Sequence, residues 1–149
     1  MIKFISRLFI PLFSIILISC DKNIEQTNLI ITSGTACGWC AGTDSVTITQ
    51  AKTIYKFNSP CDDNDLNITR NTDSKVWNRL IDNLEISSFN TINLNSCDVC
   101  ADGCDTWISV NNEGRYHRIR YGYDDSAAID KIRPFAELLD SIRNSFRER

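Results

Sequence analysis

Six of the seven cysteines of this 149-residue chain crowd between Cys37 and Cys104, and no other feature constrains the fold as strongly. They are Cys37, Cys40, Cys61, Cys97, Cys100 and Cys104, with Cys20 standing apart near the N-terminus. An even set in a short chain reads as a disulfide framework built outside the reducing cytosol. Six cysteines allow fifteen pairings, and spacing does not choose among them. The clustering predicts staples joining the Cys37/Cys40 region, the Cys61 loop and the Cys97–Cys104 segment. Closing loops of about twenty to sixty residues contributes roughly 3 to 4 kcal/mol each in the chain-entropy account.

The odd cysteine has its own explanation. Lys3 and Arg7 precede an apolar run from Leu8 to Ile18, the order of a secretory signal, and the run is too short to span a bilayer comfortably. Its end, Leu17-Ile18-Ser19-Cys20, resembles the lipobox of bacterial lipoproteins. That resemblance implies a signal peptide over 1–19, cleavage before Cys20, and a lipid on the Cys20 sulfur with palmitate-type acyl chains. Residues 20–27 then form a lipidated tether, and 28–149 a single extracytoplasmic domain. The implied partner is a membrane, reached through the lipid, with the domain in the cell envelope facing the periplasm or the exterior. Acyl chains contribute roughly 0.8 kcal/mol per buried CH₂, and two or more hold firmly. The remainder resembles other small lipoproteins, a likeness that carries no activity with it.

Charge narrows the partner classes. The whole chain carries −3, and removal of 1–19 takes away Lys3 and Arg7, leaving 14 basic against 19 acidic residues, or −5. Nucleic-acid binding requires a concentrated basic surface and is not expected. The 130 residues from Cys20 onward are enough for one domain with a real core.

Three chemical readings compete for the cysteines and acids. Cys37-Gly-Trp-Cys40 resembles the Cys-x-x-Cys of thioredoxin-like proteins, so a thiol–disulfide redox protein using Cys37 and Cys40 is one alternative. In that family the motif opens a helix, whereas here Gly42 to Gln50 alternates as a strand. Cys37-x-x-Cys40 and Cys97-x-x-Cys100 have zinc-knuckle spacing, but an oxidising compartment and the leftover Cys61 and Cys104 argue against zinc. Asp62, Asp63 and Asp65, and separately Asp98, Asp102 and Asp105, raise calcium; neither set matches the twelve-position loop, and solvated acidic loops are the expectation. No metal and no cofactor is expected.

Hydrophobic periodicity orders the rest. Strands are predicted over Asn28–Ser33, Ser45–Gln50 and Thr53–Phe57, then a surface loop over Cys61–Thr72. A helix capped by Asp73 or Ser74 runs to Leu84, with Trp77, Leu80, Ile81 and Leu84 as its apolar stripe. Phe89, Ile92 and Leu94 lead through turns to a cysteine-rich loop at 97–104. Thr106–Val110 and Tyr116–Tyr121 flank a turn-rich stretch and form a hairpin. Its inner face carries Ile108, Val110, His117, Ile119 and Tyr121; its outer face carries Trp107, Tyr116, Arg118 and Arg120. A last helix buries Ile132, Phe135, Leu139, Ile142 and Phe146, with Glu137, Asp140, Arg143 and Arg147 on its wet side. The expected class is α+β: a mainly antiparallel sheet with two helices on one face, stapled by disulfides.

This reading makes the chain a lipid-anchored binding or interaction module, with an inhibitor as one form of it. Its partner would be a protein, a peptide or an envelope polymer, met by the face of Trp107, Tyr116, Arg118 and Arg120. The further alternative is a structural envelope component. One inward histidine leaves no Ser/His/Asp or Cys/His arrangement, so no catalytic residue is expected and thiol exchange is the one reaction class with a motif.

Overall fold

The computed structural model describes residues 28–125 and 127–147. The expected signal peptide, Cys20 and its tether lie outside them. Six strands, β1 (Leu29–Cys37), β2 (Thr43–Ile48), β3 (Lys52–Asn58), β4 (Leu66–Asn71), β5 (Cys104–Asn112) and β6 (Arg115–Tyr121), form one sheet in the order β4-β3-β2-β1-β5-β6. Every strand ladder is antiparallel. Among the described residues three helices accompany it: α1 (Ser74–Asn83), α2 (Ile86–Thr91) and α3 (Arg133–Arg147).

The meander β1 to β4 arises locally, through short connections between neighbouring strands. The sheet is completed by a distant pairing, Leu29↔Asn112 through Cys37↔Cys104, which sets β5 beside β1. The register places Leu29 and Ile31 of β1, Val46 and Ile48 of β2, Tyr55 of β3, Ile108 and Val110 of β5, and Ile119 of β6 on one face. The helices cover that face with Trp77, Leu80, Phe89, Phe135, Leu139 and Phe146, all buried in the same core. Burial of side chains this size stabilises by about 1.5 to 3 kcal/mol each before chain entropy is subtracted. Asp73 caps α1 by accepting from the backbone of Lys75 at 2.7 Å and Val76 at 3.3 Å. Pro134 sits in the first turn of α3, where its missing N–H costs nothing.

Three expectations are corrected. The segment Cys61–Thr72 is not all loop: residues 66–71 form the edge strand β4, with Ile68 tucked against the core and Arg70 over the Phe146 ring. The turns expected around Phe89 contain α2, six residues long, which buries Phe89. Arg143 is not on the wet side of α3; it is 5% exposed. The cause lies in β2, where Asp44 alternates in step with Val46 and Ile48 and is fully buried. A carboxylate there requires counter-charge. Arg147 Nε supplies it at 2.6 Å and Arg143 Nε at 3.6 Å, while Arg143 Nη2 donates to Asp140 at 2.9 Å. Thr35 N also donates to Asp44 at 3.2 Å.

Two buried phenols border this cluster. Desolvation, then Asp44, raises the pKa of Tyr55, whose hydroxyl donates to Asp44, and desolvation with Asp140 pushes Tyr121 up to about 12, so both stay neutral. Removing one member of a buried ion pair strands the other and costs about 3 to 5 kcal/mol, whereas replacing both by apolar groups is often neutral. Asp44→Ala should therefore lower the urea-unfolding free energy by about 3 kcal/mol or more, and D44L/R143M by much less. Equal losses in the two variants would show that the pair does not carry this energy.

Candidate functional site

The side of the sheet away from the helices is the site candidate. Strand alternation aims Ile30, Thr32, Gly34 and Ala36 of β1 at it, with Ser45 and Thr47 of β2 and Lys52, Ile54 and Lys56 of β3. Trp107, Ser109 and Asn111 of β5 and Tyr116, Arg118 and Arg120 of β6 continue the same surface. Six strands about 4.8 Å apart make a platform roughly 24 Å wide. Among the described residues no helix covers it; the turn Asp98–Ala101 folds over one corner, at Asp105.

The four residues expected on the binding face do share it, but in two different states. Trp107 and Arg118 form a stack: the guanidinium carbon lies 4.4 Å from the indole centroid, a cation–π contact worth about 0.5 to 2 kcal/mol. The indole lies against the backbone of Gly34, its register partner, where a Cβ would come within 2.6 Å of Trp107 Cζ2. Glycine at 34 is thus what lets the ring lie down on the sheet. Tyr116 stands 62% exposed beside the hairpin turn. That turn is Glu113-Gly114, both with positive φ, the backbone that matches the strand twist in two-residue hairpins.

Arg120 is already engaged. Its Nη2 donates to Asp105 at 2.5 Å, and Asp105, fully buried, also accepts from the backbone of Asp98 at 2.8 Å and Val99 at 3.3 Å. Arg120 is an anchor of this face and not a free contact. The same geometry removes Asp105 from the calcium candidates. Asp98 receives the amide of Tyr123, Asp62 the amide of Asn64 and Asp65 the amide of Ser59. Hydrogen bonding from Ser59 and Asn64 lowers the pKa of the exposed Asp62. Among the described residues no three of His, Cys, Asp and Glu gather as metal ligands.

The cysteines pair as Cys37–Cys104, Cys40–Cys61 and Cys97–Cys100. Two of these are the cross-segment staples expected from the clustering. The redox alternative at Cys37 and Cys40 loses its basis, because each is bonded elsewhere: β1 continues to Cys37, which meets Cys104 directly across the ladder. His117 points inward as expected; its Nε2 donates to the Ile92 carbonyl at 2.9 Å and its ring meets Phe89 edge-on.

The platform is basic on an acidic chain. Lys52, Lys56, Arg118 and Arg120 face it against the single strand carboxylate of Asp105, already neutralised by Arg120. Lys52 and Lys56 went unremarked in the sequence; the period-two pattern of β3, continued from Ile54, contained the signal. No protein-family model matches this chain, and no curated protein matches it.

Gly34→Ala tests the geometry of the stack. The added methyl must displace Trp107 or the Asp44 carbonyl, 2.5 Å from it, so the variant should lose about 1 to 3 kcal/mol of stability and expose the indole to acrylamide quenching. Unchanged stability and quenching would show that the ring does not lie on Gly34.

Proposed function

We propose that this chain is a lipid-anchored, extracytoplasmic binding module whose uncovered sheet face captures an extended, negatively charged partner, a peptide or an envelope polymer. One observation carries the reading: on a chain of net charge −3, the uncovered face of a six-stranded platform holds Lys52, Lys56 and the Arg118–Trp107 stack against a single strand carboxylate that Arg120 already pairs.

The physical case is one of preorganisation. The Arg118 guanidinium, already seated over the indole that lies on Gly34, loses little freedom when a ligand meets it, so contact converts to affinity with a small entropic cost. Trp and Arg are also the side chains that most often dominate recognition surfaces. Arg118 offers a guanidinium to a carboxylate or phosphate while its plane remains on the indole. One row of hydroxyls, Thr69, Thr47 and Thr32 in adjacent registers with Ile54 among them, adds donors and acceptors across the sheet. Lys52 and Lys56 complete the electrostatic complement, and attraction over several such charges speeds encounter. The lipid implied by the Cys20 motif would hold the platform within a short tether of a membrane surface.

Two variants of the tagged full chain test this reading. W107A/R118A should retain the folded circular-dichroism spectrum and lose roughly tenfold or more of partner capture from envelope extracts. C20S should lose its acyl chains by mass spectrometry and leave the membrane fraction. Undiminished capture by W107A/R118A would overturn the site; a C20S chain that stays membrane-bound would overturn the anchor.

A further inference from the structure

The three bridges differ in what they hold. Cys37–Cys104 locks neighbouring strands across a sequence separation of 67, and Cys40–Cys61 joins two connecting loops across 21. Cys97–Cys100 spans three residues and closes on itself within one exposed turn. We propose that Cys97–Cys100 is a thiol–disulfide exchange site, opened by an external dithiol and closed again while the rest of the fold stays intact.

Access is the first requirement, because an attacking thiolate must reach a disulfide sulfur. Cys97 and Cys100 are both solvent-exposed, as are Cys40, Cys61 and Cys104, and Cys37 alone is half-buried beside its strand partners. Autonomy then separates the three bridges. The constraint a bridge places on the unfolded chain grows as about the 3/2 power of loop length. Loss of Cys97–Cys100 therefore weakens the folded-to-unfolded ratio on the order of tenfold less than loss of Cys40–Cys61, and a hundredfold less than loss of Cys37–Cys104. Opening it leaves the ladder and the loop staple in place.

Reclosure is the third requirement, and the turn meets it with bonds that do not involve sulfur. Cys100 N donates to the Cys97 carbonyl at 3.0 Å and Gly103 N to the Asp98 carbonyl at 2.8 Å. The amides of Asp98 and Val99 are held by the Asp105 carboxylate. After reduction the two thiols remain on the same turn, ready to re-form the bond. The same amides tie the turn to the Asp105–Arg120 pair, so the exchange site is wired to a cation of the open sheet face.

The chemistry balances with the dithiol as sole co-reactant. One of its thiolates attacks a sulfur of the bridge, forming a mixed disulfide and releasing the other cysteine as a thiolate that takes up a proton. The second thiolate of the reductant attacks the reductant's own sulfur in the mixed disulfide, closing a new intramolecular disulfide and releasing the second cysteine as a thiolate that takes up a proton. Two electrons and two protons have then passed to Cys97 and Cys100, and the dithiol has become a disulfide.

The experiment uses the full chain in detergent micelles, limiting dithiothreitol, timed quenching with N-ethylmaleimide, and mass spectrometry resolved by cysteine. Cys97 and Cys100 should be alkylated roughly tenfold or more faster than Cys37, Cys40, Cys61 and Cys104, with the circular-dichroism spectrum unchanged. Glutathione disulfide should restore the bridge. Alkylation of Cys40 and Cys61 at the same rate or sooner overturns the proposal, as does loss of the spectrum in step with labelling of Cys97. The C97S/C100S chain should fold with the other two bridges formed; its failure to do so would overturn the autonomy on which the site depends.

Discussion

The pairing of β1 with β5 is the constraint from which the rest of the structure follows. It joins a locally formed four-stranded meander to a hairpin that begins 67 residues beyond the end of β1, and the Cys37–Cys104 bridge fastens it at its last register pair. Such a contact is entropically late and costly to form, and a covalent tie across it removes much of the unfolded chain's freedom. Register follows from it as well. Side chains alternate with period two, so a slip of one residue would carry Ile108 to the open face and Trp107 into the core. The tie at Cys37 and the contact of Trp107 with Gly34 belong to the same ladder and specify the same register.

A second device orients the helical layer. Arg143 and Arg147 lie one turn apart on α3 and both reach the buried Asp44 of β2. Only one rotation of α3 presents both guanidinium groups while keeping Phe135, Leu139 and Phe146 in the core. Phe146 continues this fit, stacking on Tyr55 at 5.1 Å between ring centroids, with the Arg70 guanidinium carbon 4.1 Å from its ring centroid. With the helices committed to one face by these contacts, the opposite face keeps its hydroxyls, lysines and aromatic stack for solvent or a partner.

Legibility in the sequence followed periodicity. The β5–β6 hairpin and its two faces were readable because six to nine residues alternate without interruption, and α3 because its apolar residues recur every three or four positions. The strand β4 escaped because an edge strand over asparagine and threonine buries almost nothing, so its composition is that of a loop. Helix α2 is too short to show a period, with Phe89 its one buried residue. Arg143 was placed in solvent because a helix wheel knows nothing of Asp44, nearly one hundred residues earlier in the chain. On the candidate site the four expected residues were found together, while the engagement of Arg120 by Asp105 depended on a loop whose path no local pattern records.

The cysteine connectivity tests this account most directly, because it reports at once on compartment, topology and register. Non-reducing peptide mapping of the chain, recovered from its own cells with thiols blocked at lysis, should return Cys37–Cys104 and Cys40–Cys61 as the two long-range links, with Cys97 bonded to Cys100 or blocked together with it. Free thiols at Cys37 and Cys104, or a bond between Cys37 and Cys40, would contradict the β1–β5 pairing as the covalently fastened centre of the fold.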